Sequence, residues 1–124
     1  WNKLVYITAL SGMSCLVRAP FAEILDNPRT ADLVARVVHE TAAVGRASGV
    51  ELAADLEEST LQEFEREEAE LVSSMYGDLL AGKPLELMAL NGAVSDLGRR
   101  YGVATPINDL ITACLSVAHQ RAIR

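Results

Sequence analysis

Cysteine and histidine are scarce, two of each in 124 residues. Cys15 and Cys114 lie near opposite ends with no C-x-x-C spacing. That excludes a disulfide-stapled scaffold and a zinc framework, so the thiols read as reduced core cysteines of a cytoplasmic protein. Basic residues number 11 against 17 acidic ones, a net charge of -6 that leaves no clustered cationic face for nucleic acid. Long apolar runs are missing too. Each breaks at Ser, Thr, Arg or Gly well short of the roughly 20 residues a bilayer span needs, and a soluble protein is expected. The opening W-N-K-L-V-Y-I-T-A-L has one lysine before its apolar stretch but no small-residue cleavage site, so no signal peptide is expected. A start at Trp1 instead of Met reads as a piece of a longer protein. The eight glycines form neither G-x-G-x-x-G nor G-x-x-x-x-G-K, which removes a phosphate-cradling loop. Neither His39 nor His119 sits in a recognisable catalytic setting, and no sustained alternation or Asn-Gly hairpin signals strands.

What is present is helical punctuation. Asn2 to about Val17 repeats apolar and small residues at three- and four-residue steps, predicting a largely buried helix. Pro20 opens a short turn over P-F-A-E-I-L. Asn27-Pro28 is a cap followed by a first-turn proline, and a long helix follows with Leu33, Val34, Val37, Val38, Thr41 and Val44 on its apolar side, stopping at Ser48-Gly49. An acidic helix begins near Ala53. Its Glu57, Glu58, Glu63, Glu65, Glu67, Glu68 and Glu70 spread around Leu56, Leu61 and Phe64 without converging and without a histidine, which reads as a solvated face, not a metal site. Ser73 or Ser74 caps a further short helix ended by Gly82, Glu86 enters a helix running to Tyr101 and Gly102, and Thr105-Pro106 starts the last one. The expected fold is all-α, a compact bundle of five to seven helices forming a single domain over residues 1–124.

A few polar groups fit no packing pattern: Trp1 and Lys3 at the head of an apolar helix, the S-S-M at a helix start, and Glu86 before L-M-A-L-N-G. These lie in segments that are similar to a known family. W-N-K-L-V-Y, P-F-A-E-I-L-D-N-P, S-S-M-Y-G-D-L-L-A-G-K-P-L-E-L-M-A-L-N-G-A-V and Y-G-V-A-T-P-I-N together resemble the C-terminal domain of the ketopantoate reductases. The likeness covers nearly the whole chain. Its most specific part is the block from Ser73 to Gly92.

The resemblance implies a two-domain enzyme that reduces a 2-keto acid, with NADPH bound mainly by an N-terminal Rossmann domain that this chain lacks. Hydride transfer to the carbonyl carbon builds negative charge on its oxygen, and a positioned cation or proton donor answers that need. By composition alone Lys3 is a solvated terminal lysine; the family pattern makes it the catalytic lysine. It makes Ser74 a donor to substrate, a group that could equally be an N-cap, and Glu86 a catalytic carboxylate that orients the lysine or binds a hydroxyl of the cofactor ribose. Asp78, one helical turn beyond Ser74, is a supporting substrate contact. Asn91 and Gly92 fit the pattern as packing or internal hydrogen-bonding residues.

Three positions depart from the family. Asparagines are usual four and eight residues after the lysine, on one helix face, and Ile7 and Ser11 stand there. Ile7 offers no hydrogen bond and Ser11, the retained substrate donor, reaches less far. Phe21 occupies a third position where some members place a substrate-facing asparagine. Because the chemistry residues are retained, a 2-dehydropantoate 2-reductase-like enzyme with ketopantoate as substrate is the expectation; the alternatives are a paralogue acting on a 2-keto acid with a more apolar side chain, to which these changes point, and a non-catalytic helical dimerisation or scaffold module. Alone, the chain is expected to bind NADPH weakly, to turn nothing over, and to self-associate, with a homodimer as the possible assembly.

Overall fold

A computed structural model describes residues 1–67 and 71–124. Glu68 and Glu70, counted above in the acidic helix, lie outside the described residues. Among those described are seven α-helices, one 3-10 turn and no strand. The helices are α1 (Asn2–Val17), α2 (Phe21–Asp26), α3 (Pro28–Ala47), α4 (Leu56–Glu67), α5 (Ser74–Leu80), α6 (Asn91–Tyr101) and α7 (Pro106–Ala122), with the 3-10 turn Leu87–Ala89 between α5 and α6.

α1 is the axis of the bundle. Every residue from Thr8 to Cys15 is buried, because α2, α3, α4, α5 and α7 all touch it. An apolar pattern on every side belongs to a helix buried on every side. Its two ends reach the surface: Lys3 is exposed and Leu4, Tyr6 and Ile7 half-buried at the start, and Val17 is exposed at the finish. On the α4 side, Phe64 meets Phe21 edge-on at 4.9 Å between ring centroids and Tyr6 at 4.8 Å. Phe21 is thus a core anchor, 2% exposed, and not a substrate-facing residue. A phenyl ring entering α2 gains far more by burial against Phe64 than it would facing water.

α3 begins where the cap signal indicates: Asn27 Oδ1 accepts from the Arg29 and Thr30 N–H groups at 2.9 and 3.3 Å. α4 starts at Leu56, after a turn, not at Ala53. The helix expected from Glu86 to Tyr101 divides at Leu90, whose backbone (φ -111°, ψ -100°) is not helical. The break sets Asn91 at the start of α6, where its Nδ2 donates to Thr8 O at 3.2 Å and to Asn108 Oδ1 at 3.0 Å. Gly12 makes this approach possible, since a Cβ there would lie 2.7 Å from Asn91 Nδ2. Asn91 therefore works inside the fold, joining α1, α6 and α7.

The start of α7 is capped from a distance. Thr105 makes no capping bond; its hydroxyl donates to Asp109 Oδ1 at 2.9 Å. The free N–H groups of Ile107 and Asn108 donate instead to the two carboxylate oxygens of Glu40 on α3, each at 3.0 Å, and Asn108 Nδ2 adds a third bond at 3.0 Å. An anion at a helix N-terminus satisfies unpaired donors and complements the dipole together.

The two cysteines differ. Cys15 is fully buried, whereas Cys114 is exposed on α7 and is not a core thiol. Burial pushes the Cys15 thiol up to about 12, with Arg18 opposing and Asp78 adding to the rise. None of the described helices is long and apolar enough to cross a membrane.

Candidate functional site

The open end of α1 forms one wall of a cleft of about 490 Å³. Lys3, Ile7 and Ser11 project into it from successive turns, and at 1.5 Å per residue they span about 12 Å along the helix. Their spacing of four residues rotates each by only about 40° from the last, so one face carries all three. Ser74 of α5 and Glu86, just before the 3-10 turn, supply the other polar groups. Trp1, Leu4, Met75 and Leu90 complete the wall with apolar surface.

The serine pair divides its work. Ser73 is the cap of α5, accepting from Tyr76 N–H at 3.2 Å, and its hydroxyl donates to Ser11 Oγ at 3.0 Å. Ser73 is buried and Ser74, relieved of capping, is exposed in the cleft. Ser11 is 1% exposed and its oxygen is already used by Ser73, which pins it at the cleft floor.

Lys3 and Glu86 share the cleft without forming an ion pair, and Lys3 has no carboxylate within 4 Å among the described residues. Both side chains are exposed. The ammonium group is thus at liberty to meet an anionic or charge-developing ligand. Asp78 is not brought to the cleft. α5 runs beside α1 so that Ser73 meets Ser11, and the next turn carries Asp78 toward Cys15 and Arg18, where its charge is felt by the Cys15 thiol. The one-turn spacing from Ser74 follows the helix axis away from Lys3.

Local pattern also misses His119. Its Nδ1 accepts from Leu85 N–H at 2.9 Å, linking the last turn of α7 to the residue preceding Glu86. The partners are 34 positions apart, and no periodic signal relates them.

The chemistry available is that of a cation, a hydroxyl donor and a carboxylate around a space of small-molecule size, with apolar walls. Residues 1–119 match the family described as ketopantoate reductase PanE/ApbA C terminal. A 2-dehydropantoate 2-reductase from Caulobacter vibrioides is 33% identical over 118 residues, 95% of this chain but 40% of the relative. The chain thus spans less than half the length of that relative. Among solved structures, a dimeric ketopantoate reductase from Staphylococcus aureus superposes with a TM-score of 0.90 at 24% identity, covering 98% of this chain and 43% of that one, which speaks to fold. A D-mandelate dehydrogenase with NADH and anilino(oxo)acetate superposes with a TM-score of 0.83 at 27% identity, covering 98% of this chain and 68% of that one. The match across nearly the whole helical bundle places this chain in the ketopantoate reductase family, as a C-terminal domain of that family.

Proposed function

We propose that this chain is the substrate-binding and catalytic-lysine part of a cytoplasmic NADPH-dependent 2-keto acid reductase of the 2-dehydropantoate 2-reductase type. The observation that carries the reading is the convergence of Lys3, Ser74 and Glu86, from three separate elements, on one cleft with the lysine unpaired. The nicotinamide cofactor, when bound, supplies hydride. With no glycine-rich phosphate loop in the chain, most of the dinucleotide is held by residues outside it, and Glu86, an exposed acceptor at the cleft, is the fitting contact for a ribose hydroxyl.

In this reading the Lys3 ammonium group stabilises the developing alkoxide and delivers the proton that completes the alcohol. Ser74 donates to the substrate carboxylate. In the full-length protein, Lys3→Ala is expected to lower kcat by about 100- to 1000-fold, the usual effect of losing one positioned charge-stabilising donor. An unchanged kcat would favour the scaffold reading. The chain alone is expected to show no saturable NADPH binding at micromolar concentration.

A second reading concerns the substrate side chain. Ile7, which offers no hydrogen bond, lies in the cleft between Lys3 and the buried Ser11, which favours a more apolar 2-keto acid over one bearing a hydroxyl. The likeness to a D-mandelate dehydrogenase solved with anilino(oxo)acetate supports it. A higher kcat/KM for 2-dehydropantoate than for every apolar 2-keto acid would refute this reading while leaving the reductase chemistry intact. Light scattering of the full-length protein tests the expected homodimer.

A further inference from the structure

The segment that presents Glu86 is held less by its own element than by α7. α5 ends at Leu80, and Gly82 turns the chain with φ of 70°, a left-handed conformation suited to glycine. Lys83 N–H returns to Asp78 O at 2.8 Å. Pro84 then has no N–H to give, and its ring disfavours a helical Lys83, so no helix continues into Glu86. Glu86 is exposed and makes no ion pair among the described residues.

What fixes this stretch is Leu85. Its side chain is 5% exposed in the core, and its N–H donates to His119 Nδ1 at 2.9 Å. Among the described residues, no other hydrogen bond runs from the backbone of residues 83–86 to a helix outside those the segment joins. The bond places the proton of the imidazole on Nε2, since Nδ1 is the acceptor. His119 is half-buried on the last turn of α7, next to Ala118, which packs on the core. The latch is therefore seated on a long helix while the segment it holds has no regular structure.

From this geometry we infer that His119 is a positioning residue for Glu86: it fixes the Leu85 peptide and so sets where the Glu86 carboxylate stands in the cleft relative to Lys3. The inference rests on the reductase reading of the cleft. His119 does not line the cleft and touches neither substrate nor Lys3; it acts through the backbone of the neighbouring residue. Displacements of about 1 Å at a reacting group cost up to about 100-fold in rate, so a slack segment is expected to register in kcat.

The test is a double-mutant cycle in the full-length enzyme with His119→Phe, Glu86→Gln and the pair. Phe keeps a planar ring and removes the acceptor. Each single change is expected to lower kcat by about tenfold or more, and His119→Phe is expected to add less than about twofold once Glu86 is Gln, because the two act as one unit. His119→Asn, whose Oδ1 takes the place of Nδ1, is expected to restore most of the rate. Additive losses, or an Asn variant as impaired as Phe, would overturn the inference. If Glu86→Gln leaves kcat unchanged while Lys3→Ala does not, Glu86 has no part in the site and the inference falls with that assignment; if no variant, Lys3→Ala included, alters turnover, it is the reductase reading that has failed. Should His119→Phe not fold, His119→Ala carries the same expectations in the same cycle.

Discussion

Glu40 supplies the sharpest test of how this bundle is held together. Its carboxylate takes three hydrogen bonds from the first turn of α7, at 3.0 Å each, across 67 or 68 positions of sequence. Net values for bonds to a charged group run about 1.5–3 kcal/mol, and a favourable helix-end charge adds about 0.3–1 kcal/mol. A simple sum would overstate the loss. Glu40 is half-buried, so water can reach the Ile107 N–H once the carboxylate is gone. Asn108 is fully buried, and its donors are left without that partner. The expected cost of Glu40→Ala is therefore about 2–3 kcal/mol, close to that of one stranded buried group plus the lost charge at the helix end. For a chain of this size that corresponds to a fall in Tm of roughly 8–12 °C. Glu40→Gln, which keeps one acceptor oxygen but sets an amide NH2 against a backbone donor, is expected to lose about half as much. Urea unfolding followed by circular dichroism measures both, with Asp32→Ala as control because the Asp32–Arg36 pair is exposed and worth less than about 1 kcal/mol. A Glu40→Ala loss no larger than that of the control would show that α7 does not depend on the remote cap.

Two further outcomes follow from single side chains. A thiol reagent should label Cys114 promptly in the folded protein and Cys15 only after unfolding, since Cys15 is buried and its thiol is pushed up to about 12; fast native labelling of both would contradict that burial. Arg46 donates to both oxygens of Glu57, at 2.6 and 2.9 Å, and holds that carboxyl below the usual range. A carboxyl lowered by folding contributes stability above its unfolded pKa, about 4.3, and loses it as the pH falls through the lower folded value. Glu57→Gln should thus flatten the acid limb of a stability-against-pH curve, and parallel limbs in the two proteins would refute the pairing.

The helices were legible wherever their signals are local. Asn27-Pro28 opens α3 with the expected cap, and Gly102, at φ 72°, closes α6. The burial of α1 followed from its lack of a polar face. Signals failed where a distant partner decides. Thr105 looked like the cap of α7 because the motif is local, while Glu40 does the work from another helix. The split at Leu90 answers to Asn91 reaching α1 and α7, which no window around Leu90 contains. In the cleft, Lys3, Ser74 and Glu86 were selected by family resemblance, since three elements meet there and no single periodicity relates them. The family block and the one-turn spacing put Asp78 with Ser74; the direction in which α5 crosses α1 takes it elsewhere. Phe21 shows the converse, a position judged by a family pattern that the core claims for itself.

The lysine of the cleft stands on the free end of the helix that the whole bundle is built around. Beyond its first turns that helix is packed on every side, so this wall of the cleft is continuous with the core. On the proposed reading, adjustment to substrates of different girth comes from the opposite bank, where Ser74 and Met75 of α5, Glu86 and Leu90 line the cleft. Variants that widen or narrow specificity should accordingly collect on that bank, while changes along α1 would alter shape and folding at once. A protein arranged in this way has its reference frame on one wall and its adaptability on the other.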